Sequence, residues 1–292
     1  MKEKTVFYKS SAAATALFVL GNSVIIMPAK SADEYTFLGF IVAAIIGTLA
    51  VFILNPLADF LANEQQTTLI KIIKVIIFSA LSLSAAFFAA STFTDFTEFI
   101  REIILPQTPK AVIILIFLLA VVFFALKRQE DTLKFALLCC GFSVVAIIFF
   151  FFATLGNFDM RNIFIFRLPG IKEFSNSVLP YLSNVVSPIL LLPFYRVFVF
   201  GNKRATACVH GAVLGFILLG LCILSSVLLF SPQLAGKLDY PYAAAISTIT
   251  VGKLFTRMDG FSYFLYFSAA IIKINICIYV SITAMKKIKA TF

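Results

Sequence analysis

The residues of this chain with chemical potential are few, and they are small polar side chains set into apolar stretches. The run ALFVLGNSVIIMP carries Gly21, Asn22 and Ser23, and the run SVLPYLSNVVSPILLLPF carries Pro180, Ser183, Asn184, Ser187 and Pro188. Glycine permits a local change of backbone, asparagine and serine satisfy the backbone groups that such a change frees, and proline removes a helix hydrogen bond. Where a membrane-spanning helix unwinds, freed N–H and C=O groups face a cavity and hold a small solute. Gly21, Asn22, Ser23, Ser183, Asn184 and Ser187 are therefore candidate ligand-binding residues, with Pro180 and Pro188 as the structural breakers. The same residue types also serve close helix packing. Their occurrence in the first and sixth apolar stretches, corresponding positions of two five-helix inverted repeats, favours the binding reading.

Ionisable groups inside apolar stretches are the second signal. Lys273 lies within YFLYFSAAIIKINICIYV, and Asp259 opens the same stretch. About four helical turns, or roughly 21 Å, separate the two, too far for a direct pair. Lys273 either replaces a coupling cation, pairs with a carboxylate elsewhere in the chain, or snorkels toward the inner face. Asp95 and Glu98 are expected at the outer interface in contact with water. No GxSxG, Walker A or HExxH motif occurs, and no paired carboxylates suit a pocket, so an enzyme is not expected. The five cysteines form no CxxC or Cys/His cluster, and His210 is the single histidine. Neither a metal site nor a disulfide framework nor any cofactor is predicted.

The elements that must position these residues are spanning helices. Of 292 residues, 61% are hydrophobic and only 13% charged, with a mean hydropathy of +1.02. Helices apolar all round need a very large core or lipid, and a single domain of this length cannot supply the core. Eight stretches reach spanning length, at roughly 10–28, 35–57, 69–94, 109–126, 132–154, 174–199, 206–230 and 259–285. None shows the alternation of a barrel strand. The fold class is thus an all-α polytopic membrane protein, a single integral membrane domain over 1–292. The net charge of +10 reflects lysines and arginines at the ends of the stretches rather than a nucleic-acid face. They are denser on the side that holds Lys2, Lys4 and Lys9, which places both termini inside. The first stretch reads as a retained helix, not a cleaved leader. Two outer segments look structured. DFTEFIREIIL, from Asp95 to Leu105, reads as a short helix on the membrane surface. The segment from Tyr240 to Phe255 reads as an outer helix or re-entrant cap.

Several stretches together resemble one known family. DYPYAAAISTITVGKLFTRMDGFSYFLYFSAAIIKI (Asp239 to Ile274) carries an aromatic–Pro–aromatic start and a Gly-x-Leu-Phe-x-Arg-x-Asp core containing Arg257 and Asp259, followed by Lys273. LFVLGNSVIIMP, FTEFIREIILPQTP, the Gly156–Asp159 turn and SVLPYLSNVVSPILLLPF agree in order. The chain resembles, over nearly its whole length, the spore germination permease family, the B subunits of nutrient germinant receptors within the amino acid–polyamine–organocation transporter superfamily. The resemblance implies a five-plus-five inverted-repeat fold, with a first repeat at about 10–154 and a second at about 174–285 lacking the last two of the usual ten helices. It implies Arg257, Asp259 and Lys273 as family-motif residues and a ligand site between helices one and six.

It further implies a membrane subunit of a spore germinant receptor in the spore inner membrane. That subunit would bind a small nutrient, typically an amino acid, and trigger germination together with a larger membrane subunit and a lipoprotein. A secondary amino acid permease and a scaffold subunit without a ligand site are the alternatives.

Overall fold

The computed structural model describes residues 2–26, 35–62, 68–162, 170–200, 205–249 and 259–291. Among the described residues all regular structure is helical. The long elements are α1 (Lys2–Leu20), α2 (Thr36–Ala62), α3 (Thr68–Phe99), α4 (Lys110–Leu126) and α5 (Gln129–Thr154). A broken segment follows: α6 (Ile171–Tyr181), a π turn at Leu182–Val186, the single turn α7 (Ser187–Ile189) and α8 (Leu192–Phe200). Then come α9 (Ala205–Phe230), the short α10 (Pro232–Ala235) and α11 (Pro241–Ser247), and α12 (Asp259–Thr291). Among the described residues six helical stretches are long and apolar enough to cross a membrane, and two shorter apolar helices, Phe7–Leu20 and Lys110–Leu126, fall on the other two of the eight expected stretches.

Lipid contact and burial divide these helices. The apolar window of α12 is 72% buried and that of α3 only 17%. Leu83, Phe52, Ile53 and Leu126 stand fully outward. Outward apolar side chains at this density suit hydrocarbon and not water. Several hydroxyls inside the helices are satisfied locally. Thr15, Ser143, Ser225 and Ser226 each donate to the carbonyl four residues back, which lets a polar side chain sit in an apolar helix at small cost.

Two helix pairs carry the packing around the first helix. The first is α1 against α9. Gly211 and Gly215 form a GxxxG face on α9. A Cβ at Gly211 would collide with the Ala12 carbonyl and Thr15, and one at Gly215 with Val19 and the Ala16 carbonyl. Small residues here allow backbone-to-backbone approach. The second pair is α12 against α3, running antiparallel. Ser82 and Ser281 hydroxyls meet at 3.0 Å. Phe96 lies 5.9 Å from Phe267 and 4.7 Å from Phe117 of α4, ring centre to ring centre.

The separate surface helix expected over Asp95–Leu105 is not there. α3 continues unbroken through Asp95 to Phe99 and ends in a π turn at Ile100–Ile104. The amphipathic spacing of DFTEFIREIIL reflects one face turned to the bundle, where Phe96 and Phe99 are buried. Pro106 stops the helix. At the outer end, the Tyr240 hydroxyl donates to Glu102 at 2.8 Å. Burial, then the Glu102 contact, holds the Tyr240 phenol above its usual range, so it stays a donor.

Replacing Gly211 or Gly215 by leucine overpacks the α1–α9 contact. A loss of about 1–3 kcal/mol is expected, read as a lower unfolding temperature of the detergent-solubilised protein. Gly141→Leu, which meets open space, should change little.

Candidate functional site

The site is built where α1 stops. α1 ends at Leu20, and Gly21 takes a positive φ of +33°. The backbone bonds beyond this point are irregular. Gly21 N–H donates to the Leu17 carbonyl, Val24 to Leu20, and both Ile25 and Ile26 to the Asn22 carbonyl. The Phe18 and Val19 carbonyls receive none of these bonds. A side chain at Gly21 would be strained by its φ and would overlap the Lys273 side chain. Glycine is therefore required twice over, by the turn and by the lysine passing beside it.

Lys273 is 2% exposed, near the middle of α12. It does not snorkel. Its Nζ donates to Asn22 Oδ1 at 2.6 Å and sits 5.6 Å from the centre of the Phe18 ring. Asn22 Nδ2 in turn donates to Asp95 Oδ2 at 2.5 Å. One amide thus joins a buried ammonium on α12 to a carboxylate on α3. The hydrogen-bond acceptor of Lys273 is an amide, and the Asp95 carboxylate is reached only through Asn22. Asp95 is correspondingly not a simply solvated residue of the outer interface: it is half-buried and committed to this bridge. Glu98, one turn on, is half-exposed and lies 3.5 Å from Lys110.

The sixth-span residues occupy a different setting. The interruption is present, with Pro180 inside α6, the π turn after it, and Pro188 in α7. The Ser183 hydroxyl donates to the Pro180 carbonyl and the Ser187 hydroxyl to the Ser183 carbonyl, so both are turned onto their own chain. Ser183 and Asn184 are exposed and Ser187 half-buried. This segment packs against α2, where Gly39 leaves no room for a Cβ against the Ser177 carbonyl. Ser23 is buried beside the α1 turn. Arg257 lies outside the described residues, and Asp259 is the first residue of α12.

Two buried polar groups were not singled out by the sequence. Arg196 is 1% exposed on α8. It bonds Asp59 of α2 at 2.5 Å and the Asn55 carbonyl at 3.2 Å. Pro56 follows Asn55 within α2. The second group is Asn275 of α12, which accepts from Gln129 at 3.3 Å, while Gln129 accepts from the Tyr195 hydroxyl at 3.2 Å. The available signal was the same in both cases, a polar residue on an otherwise apolar helix. The five cysteines are buried and free. His210 accepts or donates at 2.6 Å with Tyr8 on an exposed edge.

A multi-pass membrane bundle with a break after its first helix and a buried lysine agrees with one comparison. The family model described as spore germination protein matches residues 8–290. The chain belongs to this spore germination permease family. Its members are permease-like germination proteins rather than enzymes, so this integral, multi-pass protein has a role in spore germination. A search of curated proteins gave no match.

Breaking the Arg196–Asp59 ion pair has a calculable cost. Arg196→Met leaves the Asp59 carboxylate without its partner and is expected to lower stability by about 3 kcal/mol. Adding Asp59→Leu should recover most of that loss. Thermal unfolding of the four members of the cycle checks both outcomes.

Proposed function

We propose that this germination protein is the ligand-sensing membrane subunit of a spore germinant receptor. It binds a small nutrient, an amino acid, at the end of α1, and works with a larger membrane subunit and a lipoprotein in the spore inner membrane, both termini facing inside. The observation that carries this reading is the buried Lys273 held by Asn22 beside the irregular turn at Gly21. A buried charge held by an uncharged neighbour is costly and marks a functional site in a membrane protein. Ser23, buried beside the turn, completes the proposed site, whereas Ser183, Asn184 and Ser187 form a separate candidate on the broken sixth span; the five-plus-five inverted repeat is the proposed frame. A secondary permease is the second reading, supported by the same buried lysine standing where a coupling cation would bind.

Spores carrying the complete receptor test the site. Asn22→Leu is expected to raise the nutrient concentration for half-maximal germination at least tenfold, which is about 1.4 kcal/mol, and Asn184→Leu, exposed on the sixth span, to change it far less. Unchanged dose dependence in Asn22→Leu would remove the site assignment. Uptake into proteoliposomes separates the two readings: binding without accumulation supports sensing, and cation-coupled accumulation supports transport.

A further inference from the structure

α2 and α9 do not close against each other along their whole contact. Between them lies an open groove of about 520 Å³, bounded on α2 by Phe37, Ile41, Ile45 and Leu49 and on α9 by Ile217 and Leu224. Its chemistry is uniform. Every side chain lining it is apolar except that of Thr48, whose hydroxyl donates to the Ala44 carbonyl at 2.9 Å and is thereby spent. A polar or charged ligand finds no hydrogen-bond partner there and loses those it has in water. We propose that this groove is a seat for one acyl chain of a membrane phospholipid, distinct from the general lipid contact of the outer helix faces.

Length and width select this occupant. The groove runs from Phe37, the second residue of α2, to Leu49, the midpoint of that helix. The helix rise between them is roughly 18 Å, and one leaflet contributes about 15 Å of hydrocarbon. The groove therefore spans one leaflet, the reach of a single lipid tail. Its volume spread over roughly 18 Å gives a cross-section of about 30 Å², whereas a helix 10–12 Å across needs about 80–110 Å². A spanning helix of a partner or of a second copy is too wide for it. Two glycines shape the floor. Phe40 lies over Gly220, where a Cβ would come within 3.0 Å of its ring, and Phe216 lies over Gly47, 2.6 Å from a Cβ there. The same two rings link the groove to the broken sixth span. Phe40 stands edge-on to Tyr181, the last residue of α6, with ring centres 5.5 Å apart. Val186, which closes the π turn, reaches the same Gly47 position as Phe216. A chain in the groove thus packs on the rings that stand beside both ends of the π turn.

This seat is independent of the nutrient reading, since it asks nothing of Asn22 or Lys273. The test uses the full chain in phosphatidylethanolamine–phosphatidylglycerol nanodiscs doped with a phosphatidylcholine that carries a diazirine midway along one acyl chain. After illumination and digestion, mass spectrometry is expected to find adducts on the groove residues of α2 and α9 several-fold above those on α3 around Leu83 and Phe87, which are exposed on the outer face. Ala44→Phe, which fills the groove with a ring, should remove the groove adducts and leave those on α3 unchanged; Leu221→Trp is the second filling variant if the first does not fold. Adding phospholipid to the delipidated protein in detergent should raise its unfolding temperature, and by less in the filled variant. Equal labelling of the groove and of α3 would overturn the seat, because ordinary annular lipid labels both. Groove labelling that survives filling would overturn it as well. In the complete receptor, a partner subunit cross-linked into the groove in place of lipid would assign the groove to protein and overturn the acyl chain as its occupant.

Discussion

An ammonium group held away from water in a membrane bundle must be hydrogen-bonded or the bundle does not hold it. The side chain of Lys273 is under that constraint, and much of the local structure follows from it. The acceptor is the Asn22 carbonyl oxygen, 2.6 Å away. For Asn22 to arrive there, α1 has to end at Leu20, about two turns before its apolar stretch does. For the lysine to pass, residue 21 has to lack a side chain. The amide that caps the lysine then has its own N–H to satisfy, and Asp95 receives it. One buried charge thus dictates a helix end, a glycine and the placing of a carboxylate on a third helix.

The two packing pairs keep these three points in register. α1 is pressed onto α9 through Gly211 and Gly215, which fixes how far the first helix reaches before it turns. α12 and α3 lie antiparallel, tied by the Ser82–Ser281 pair on one side of the site and by Phe96–Phe267 on the other. Sliding either pair by one residue would move a donor or acceptor by roughly 1.5 Å along the helix, enough to break the bridge. The Arg196–Asp59 pair is independent of it and fastens α8 to α2, on the far side of the broken sixth span.

The sequence announced the architecture through composition. The apolar stretches become helical because lipid leaves the backbone no other partner than itself. The breakers were equally legible, since glycine and proline act through local backbone geometry. What was not legible was which polar groups meet. Asp95 reads as an interfacial carboxylate because it sits in an acidic, amphipathic run near the end of a stretch. Only the antiparallel packing of α3 on α12 turns it inward. Arg196, on the sixth apolar stretch, likewise carries no sequence signal of its Asp59 partner. Both cases have one origin. Position along a stretch gives depth in the membrane, whereas the facing of a side chain comes from helix–helix contacts that single-sequence periodicity does not encode when the helix is apolar all round.

The use of an amide rather than a direct ion pair has an energetic consequence. A buried lysine in contact with a carboxylate gives up about 3–5 kcal/mol when one partner is withdrawn, and a site closed by such a pair would open rarely. Two hydrogen bonds to charged groups, each of about 1.5–3 kcal/mol, can be exchanged one for one. The side chain that makes both bonds belongs to a residue that lies after Leu20 and outside any helix, so Asn22 can rearrange without breaking a helical ladder, and the cost of parting the two charges is that of two such bonds rather than of a closed ion pair.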